Sequence, residues 1–305
     1  MFELPHSGVV QVLGADAERV INNLSTNDVK KLAVGYGSEA FVTNVRGWCV
    51  EHGFLLKRTN EVLIVGQFGN STALCNHIDR YIVREDARIT DFSQTKGVLL
   101  LSQLEAQQIA QRLGNQLLAP TGGAIQETVL EQACVTAASV NLLATDDVLL
   151  IFERGGEDAV LDALRSAGLA LQSPDEFERL RIESCWPLAG REILEKSIPQ
   201  ELDRDPQAIS FTKGCYLGQE TIARLDAIGQ LQKKICLVRI DSIEPIELGA
   251  PLLKENQPVG QVTSVAFSSA GDYQVALAYL RRGNFEAGLQ FTCNGAMATV
   301  LPTRT

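Results

Sequence analysis

The stretch EVLIV at residues 61–65 is the strongest indication of the fold class. Its short run of apolar, mostly β-branched residues predicts a buried β-strand. Residues 66–70 then interrupt the apolar pattern. Leu74, Ile78 and Tyr81 follow at spacings of four and three, which is typical of the buried face of a helix. This segment therefore predicts a strand-then-helix unit.

A similar unit occurs 86 residues later, where DVLLI at residues 147–151 repeats the strand pattern. Gly155 and Gly156 interrupt it, and Val160 and Leu164 begin a helical stripe that glycine 168 is suited to end. Repetition of the unit predicts two related subdomains, each built from a sheet with helices on one face.

A third unit lies between these two, with the strand VLLL at residues 98–101. Ser102 and Glu105 form a capping-box pattern, and Gly114 is placed to end the helix. Strands and helices that alternate in this way, with short connections, favour mixed α/β layers.

The C-terminal part of the chain has a different pattern. Short β-rich runs such as 234–240 and 274–279 are separated by glycine and proline, without a helical stripe. This pattern predicts a small β-barrel or sandwich. We place the boundary near residues 229–233, which gives an α/β region at 1–230 and a β-domain at 231–305.

The composition excludes several classes of protein. The 305 residues carry a formal net charge of −10, with 45% hydrophobic and 21% charged residues, which excludes global disorder. No apolar run reaches the roughly 18 residues of a membrane span, and no targeting peptide is visible at the start. A pI near 4.9 argues against broad binding to DNA or RNA. We therefore expect a cytoplasmic protein that contacts neither membrane nor DNA.

Cysteine and histidine usage gives no metal signature. No two of the seven cysteines form a CxxC pair, and the three histidines are scattered, so we predict reduced thiols that are mostly buried. The cysteines are Cys49, Cys75, Cys134, Cys185, Cys215, Cys236 and Cys293.

The first candidate site residue is Glu183. Ser173 and Glu176 predict the start of a helix that should stop before Pro187. Glu183 then lies in the last turn, where a carboxylate opposes the helix dipole at a cost of ~0.3–1 kcal/mol. Such a violation of a local rule points to a site, while the alternative is a surface Glu paired with Arg179 four residues earlier.

The second candidate is Cys215, within the stretch FTKGCYLGQETIAR at residues 211–224. Gly214 and Gly218 permit a tight backbone around the thiol, and Lys213 supplies a nearby positive charge. A cation and the start of a following helix both favour a thiolate. The alternative is a buried thiol in a glycine-rich turn.

The stretch KGCYLGQE at residues 213–220 resembles the K-G-C-Y-x-G-Q-E signature of the YgfZ family. These are folate-binding proteins related to the glycine cleavage T-protein, the aminomethyltransferase. Further resemblances to this family are LSTNDV at 24–29, YIVRED at 81–86, RIE at 181–183 with Pro187 and Gly190, IPQE at 198–201, and VGQVTS at 259–264.

The resemblance implies an α+β fold: a T-protein-like three-part ring of two interleaved α/β subdomains and a C-terminal β-barrel, around a hole that holds tetrahydrofolate or a derivative. It implies that Glu183 grips the pterin through a charge-assisted bidentate contact. Asn27 and Asp28 correspond to residues that line the same cavity. We also assign Tyr216 and Gln219 of the signature to cofactor binding.

This chain departs from the T-protein at informative positions. The T-protein has a pair of acidic residues, one of them catalytic, where this chain has Glu51 and His52. A longer side chain at Glu51 would move the carboxylate by about an ångström, so we expect an exposed or a neutral buried role. The T-protein also lacks Cys215 and has a basic residue in place of Gln219. These differences favour the YgfZ branch, which is linked to iron–sulfur clusters and to tRNA modification.

The sequence therefore predicts a folate-binding accessory protein for the assembly, maintenance or repair of iron–sulfur clusters. It favours a protein without enzyme activity of its own over an enzyme. Its partners would be a reduced folate and iron–sulfur client or assembly proteins. Cys215 would be the reactive thiol with Lys213 beside it, and it could supply one ligand to a shared cluster although no resident metal is expected.

Two other functions stay open. The first is a tetrahydrofolate-dependent aminomethyl or one-carbon transferase, which the Glu51–His52 replacement disfavours. The second is a tRNA-binding module, for which Lys233, Lys234, Arg281 and Arg282 could form a local basic edge. The acidic balance of the chain weighs against that module, and solvated strand ends are the simpler interpretation of the four residues.

Overall fold

A computed structural model describes residues 1–4, 7–66 and 71–303 of the chain. The predicted interruption at 66–70 lies outside these residues except for Gly66, and His6 lies outside them as well. The chain divides into two compact units, each with a core of its own. Unit 1 comprises Met1–Gln172 and Pro206–Gln219, and unit 2 comprises Ser173–Asp205 and Glu220–Thr305.

The regular elements are antiparallel strands and short helices. The strands are β1 (Phe2–Glu3), β2 (Gly8–Leu13), β3 (Tyr36–Thr43), β4 (Cys49–Arg58), β5 (Glu61–Gly66), β6 (Arg88–Asp91), β7 (Lys96–Leu101), β8 (Ile125–Leu130), β9 (Ala133–Val140), β10 (Asp147–Glu153), β11 (Lys233–Ile240), β12 (Pro251–Lys254), β13 (Gln257–Phe267), β14 (Gln274–Arg281), β15 (Gln290–Cys293) and β16 (Ala296–Val300). The helices are α1 (Ala17–Leu24), α2 (Ser71–Asp79), α3 (Gln103–Leu113), α4 (Glu157–Ser166), α5 (Pro174–Glu183), α6 (Asp205–Ala208) and α7 (Gln219–Ile228), with 3-10 turns at Gln116–Leu118, Arg154–Gly156 and Pro199–Leu202.

The first sheet of unit 1 has the strand order β3-β4-β5-β2-β6. Its inner face packs against α1 and α2, as Ile64 of β5, Ile21 of α1, and Leu74 and Ile78 of α2 belong to one buried cluster. The predicted strand at 61–65 and the helix that follows it are therefore confirmed. Tyr81 of the predicted stripe lies just beyond the end of α2.

The second sheet of unit 1 has the order β1-β7-β10-β9-β8, and α3 and α4 pack on it. Ser102 and Glu105 form the predicted capping box, and Gly114 takes the left-handed conformation at φ 64° that ends α3. The third strand-then-helix unit lies in the same sheet as the second, because β7 pairs directly with β10.

The two subdomains are interleaved through the start of the chain. Phe2 of β1 pairs with Leu100 of β7 in the second sheet, although β2 lies in the first sheet. The sheets also meet where the backbone N–H of Gly37 donates to the carbonyl of Gly123 at 2.7 Å. This junction places the loops of the second sheet beside β3.

Unit 2 contains α5 and a closed six-strand barrel with the order β11-β14-β13-β12-β15-β16. The barrel interior is filled by a buried apolar cluster that includes Val238, Leu252, Leu280 and Phe291. The predicted barrel is thus confirmed, whereas the domain boundary between residues 230 and 231 stays a prediction.

Candidate functional site

The segment that carries the thiol is fixed within unit 1 by two hydrogen bonds of the Leu217 backbone. The N–H of Leu217 donates to the carbonyl of Asn23 at 2.8 Å, and the Oγ1 hydroxyl of Thr43 donates to the carbonyl of Leu217 at 2.7 Å. Gly218 has φ +82°, and a Cβ there would lie 2.5 Å from the carbonyl oxygen of Asn44. Only glycine fits this conformation and this approach, so the motif requires Gly218 for the path of the chain.

Cys215 is exposed and lines a cavity of about 350 Å³ in unit 1. The cavity is also lined by residues of α1 and of the segment after α2, including Arg19 and Tyr81. Cys134 on β9 is also exposed, whereas Cys185 is buried. The alternative of a buried thiol at position 215 is therefore wrong.

Lys213 has a structural use that the sequence did not reveal. Its buried ammonium group donates three hydrogen bonds of 2.7 Å, to the carbonyls of Asn22, Ser25 and Asn27. Burial lowers the pKa of Lys213 to about 8. The cation thus lies at the C-terminal end of α1, where it satisfies carbonyl groups and opposes the negative end of the helix. Its predicted effect on the thiol of Cys215 stays a prediction.

Tyr216 and Gln219, the two signature residues assigned to cofactor binding, have different surroundings. Tyr216 is buried beside Lys213, whose Nζ lies 4.9 Å from the centroid of the Tyr216 ring, and burial raises the pKa of Tyr216 to about 12. Tyr216 also lines the cavity at Cys215. Gln219 is half-buried and begins α7.

Asn27 forms hydrogen bonds to two residues that line a second cavity of unit 1. Its Nδ2 group donates to the carbonyls of Glu39 at 2.9 Å and of Gln207 at 3.1 Å. Glu39 and Gln207 both line this cavity, which has a volume of about 460 Å³. Asp28 follows with its N–H bonded to Asn27 Oδ1, and its own carboxylate accepts from the N–H of Lys31.

Sequence reasoning missed the polar groups of this second cavity. Ser38 Oγ and Gln207 Oε1 are buried there without a hydrogen-bond partner among the described residues, and carboxylates are contributed by Glu39 and Asp146. No local pattern marks these residues, because β3 and the loop before β10 come together only through the packing of the two sheets.

Glu51 and His52, which the family resemblance matches with the T-protein carboxylates, are buried and bonded within the protein. Burial raises the pKa of Glu51 to about 8, so this carboxyl group is largely neutral at pH 7. His52 Nε2 lies 2.8 Å from Glu39 Oε1, and its ring stacks on Phe41 with centroids 4.5 Å apart. Of the two roles expected for Glu51, the structure shows the neutral, buried one.

Glu183 lies in unit 2, at the end of α5. Its Oε1 accepts a 2.7 Å hydrogen bond from Arg179 Nη1, and its side chain is 20% exposed. Arg179 also binds Glu176. The i,i+4 ion pair named as the alternative to a site is therefore present, and a role for Glu183 in ligand binding stays a prediction.

The neighbouring arginine of the RIE motif serves the fold of unit 2. Arg181 is fully buried, and it donates to Ser264 Oγ at 2.7 Å and to the carbonyl of Trp186 at 2.6 Å. Ser264 in turn donates to Glu192 Oε1 at 2.7 Å. Two separate stretches of the family pattern thus meet in one buried polar network.

Unit 1 brings together six of the predicted residues, Asn27, Asp28, Lys213, Cys215, Tyr216 and Gln219, while Glu183 belongs to unit 2. Within the described residues, no group of three or more His, Cys, Asp and Glu side chains is placed to hold a metal ion. No helix among them is long and apolar enough to cross a membrane.

Comparison with known proteins shows similarity along nearly the whole chain. A chloroplastic protein of Arabidopsis thaliana, provisionally named a transferase, is 25% identical over 284 residues, which cover 92% of this chain but only 65% of that protein. Aminomethyltransferases of Rubrobacter xylanophilus and Symbiobacterium thermophilum are 25% and 27% identical, and each alignment covers more than 90% of this chain and 78% of the relative.

The fold is likewise that of the T-protein. The crystal structure of the glycine cleavage system aminomethyltransferase T from Bartonella henselae superposes with a TM-score of 0.86 at 17% identity, covering 99% of this chain and 84% of that one. Residues 1–205 match the GCVT N-terminal domain, and residues 233–301 match the glycine cleavage T-protein C-terminal barrel domain. The chain belongs to the glycine cleavage T-protein family.

Proposed function

We propose that this protein is a folate-binding accessory protein of the YgfZ type, which uses the thiol of Cys215 in the assembly, maintenance or repair of iron–sulfur clusters in client enzymes. One observation supports this most strongly. Cys215 is exposed at the edge of a cavity, whereas Glu51 and His52, at the position of the T-protein carboxylates, are buried and bonded within the protein.

The carboxyl group of Glu51 and the imidazole of His52 are poorly suited to aminomethyl transfer. Proton transfer needs a group that reaches the substrate and has a pKa near the working pH. Glu51 has such a pKa but is 5% exposed, and His52 is 3% exposed and bonded to Glu39. A thiol at Cys215 is accessible and can exchange with a partner's sulfur or bind a metal as a thiolate.

Acceptor groups that suit a folate are present in both units. The pterin of a folate presents an amino group and ring N–H groups, which carboxylate and amide oxygens recognise. In unit 2, only Oε1 of Glu183 is held by Arg179, and Oε2 has no hydrogen bond within the described residues. In unit 1, Glu39 and Gln207 line a cavity whose volume of about 460 Å³ lies within the range of roughly 300–1,000 Å³ for small-molecule sites, and Gln207 Oε1 has no hydrogen-bond partner within the described residues.

A cluster itself would be cargo shared with a partner protein. Iron–sulfur clusters usually take four cysteine ligands, and Cys215 could supply one of them while the client or an assembly protein supplies the rest. All seven cysteines are free thiols, which suits the reducing cytoplasm that we propose as its compartment.

The test uses a host strain that lacks this protein, with cluster content and activity of an iron–sulfur enzyme as readouts. We expect the wild-type chain to restore both, and Cys215→Ser to fail. Cys134→Ser is the matched control, because Cys134 is the other exposed cysteine, and this variant should restore both. Full restoration by Cys215→Ser would refute the thiol function.

Folate binding is tested separately by calorimetry with tetrahydrofolate and its formyl and methyl forms. We expect Glu183→Ala to weaken binding at least about tenfold, since it removes a charged acceptor. Glu195→Ala, at an exposed position of the same unit, should bind like the wild type. Equal affinity of the two variants would exclude Glu183 as a pterin ligand without affecting the test of Cys215.

A transferase is the second candidate, because several relatives are aminomethyltransferases. Incubation with tetrahydrofolate and an aminomethylated lipoyl carrier decides between the two functions. We expect no methylene-folate, and its formation at a turnover that Cys215→Ser leaves unchanged would favour the transferase.

A further inference from the structure

The outer face of the barrel in unit 2 carries a cavity of about 350 Å³ that the proposed function does not use. Lys233 of β11 and Arg281 of β14 are directly opposite each other in the antiparallel register, and both line the cavity. Residues directly opposite in such a pair point to the same face. The two cations therefore converge on one opening.

This placement is unfavourable for the protein alone. Like charges directly opposite on paired strands destabilise a sheet. Lys233 Nζ forms a long ion pair with Glu201 Oε2 at 3.6 Å, whereas the Arg281 guanidinium has no hydrogen-bond or ion-pair partner within the described residues. A bound anion would compensate the charge of Arg281 and would add a second partner for Lys233.

The lining of the cavity has an unusual charge for this protein. None of the described residues that line it is acidic, although the whole chain has a net charge of −10. The cavity near Cys215 instead has both Arg19 and Glu85, and the cavity near Asn27 has acidic groups without a cation. Of these three cavities, the barrel cavity is the one with an excess of positive charge.

The rest of the lining fixes Lys233 in place and supplies apolar surface for a body attached to the anion. The ring of Tyr279 lies below Lys233, whose Nζ is 4.3 Å from the ring centroid. The Tyr279 hydroxyl donates to the carbonyl of Glu192 at 2.7 Å, which fixes the ring. Pro251 and Pro258 supply apolar walls.

The two neighbouring cations, Lys234 and Arg282, bind groups outside the cavity. Lys234 forms an ion pair with Asp203 at 2.6 Å, and Arg282 donates to Gln230 Oε1 at 3.1 Å. The basic edge suggested by the four residues is therefore reduced to two cations in one small cavity, a size that suits a small molecule better than a nucleic acid.

We propose that this cavity binds a small organic oxyanion, in which a phosphate or carboxylate group contacts Lys233 and Arg281 and an apolar body lies against Pro251 and Pro258. Arginine binds both groups through two parallel hydrogen bonds, which gives the site its orientation. This site is independent of the folate and thiol chemistry proposed above.

Calorimetry on the full chain tests the proposal with three probes that share a benzene ring: phenyl phosphate, isophthalate and phenol. We expect saturable binding of at least one anion and none of phenol. Arg281→Gln and Lys233→Gln should each weaken that binding at least about tenfold. Arg282→Gln is the matched control, since this exposed neighbour lies outside the cavity, and it should change affinity less than about twofold.

Each result decides the question. Binding of phenyl phosphate alone identifies a phosphate ligand, and binding of isophthalate alone identifies a carboxylate. Absence of saturable binding by both anions would overturn the proposal. An equal loss in Arg281→Gln and Arg282→Gln would also overturn it, because that result would show diffuse attraction by surface charge.

Discussion

The loop around Cys215 and the strand that carries Glu51 and His52 differ in how they present their reactive groups. The loop leaves its thiol exposed at a cavity, and it is held by Lys213 and by backbone contacts. The strand buries its carboxyl and imidazole groups and pairs His52 with Glu39. Two positions that family resemblance marks as important thus have opposite chemical access, and the proposed thiol function depends on this difference.

The largest expected effect is the difference between the rates at which Cys215 and Cys185 are chemically modified. Cys185 is 1% exposed, and burial raises the pKa of its thiol to about 12. Because the thiolate is the nucleophile, we expect iodoacetamide to modify Cys215 more than about a hundredfold faster than Cys185 in the native protein. Mass spectrometry of timed samples measures both rates, and denatured protein, in which the difference should vanish, is the control. Comparable native rates would contradict the exposure of the loop.

Gly218→Ala should have the largest effect on stability. A Cβ there would meet the backbone of Asn44 and Gly47 at about 2.5 Å, in a left-handed conformation. We expect a loss of about 3 kcal/mol in the free energy of unfolding, measured by denaturant titration. Gly214→Ala is the control, because a Cβ at Gly214 meets no atom within 4 Å, and it should cost less than about 1 kcal/mol. Equal effects would show that the close approach is absent.

Lys213→Met should cost about 2 kcal/mol, because it leaves the carbonyls of Asn22, Ser25 and Asn27 without their charged donor. Chemical denaturation compares it with Lys31→Met, whose side chain is 72% exposed and which should be nearly neutral. Unchanged stability in Lys213→Met would contradict the structural role of Lys213, and activation of the Cys215 thiol would be the one role left for it.

Glu51→Gln should have the smallest effect at neutral pH, since it replaces a mostly protonated carboxyl with an isosteric amide. Burial raises the folded pKa of Glu51 to about 8 from its ordinary 4.5, so the folded state binds more protons than the unfolded state between these values. Wild-type stability therefore falls as the pH rises from 5 to 8, by an amount on the order of a few kcal/mol.

The variant should lack this component of the pH dependence. Urea denaturation of both proteins at pH 5, 6.5 and 8 measures it. Parallel pH profiles of wild type and Glu51→Gln would show that Glu51 ionises normally and is open to water.

Much of the fold could be predicted because local patterns and tertiary packing agree. The buried strand at 61–65, the capping box at Ser102 and the barrel strands each carry a periodic or capping signal. The pairing of β1 with β7 could not be predicted, since two residues have no periodicity. It is nevertheless what interleaves the two subdomains.

The site was less predictable than the fold. Family resemblance located the segment of Cys215, but the acceptors of Lys213 are backbone carbonyls, which a sequence does not distinguish. The contact between Glu39 and His52 depends on the β3–β4 register, in which His52 is opposite Phe41. Arg179 could be predicted as the partner of Glu183, because i,i+4 spacing on a helix is a local signal.

Cluster repair by two variants tests the central claim most directly. Cys215→Ser and Glu51→Gln are introduced separately into a host strain that lacks this protein, and the cluster content and activity of an iron–sulfur client enzyme are measured. We expect Glu51→Gln to restore both to near wild-type levels and Cys215→Ser to restore neither. Restoration by Cys215→Ser together with failure of Glu51→Gln would place the chemistry at the buried strand and contradict the thiol function.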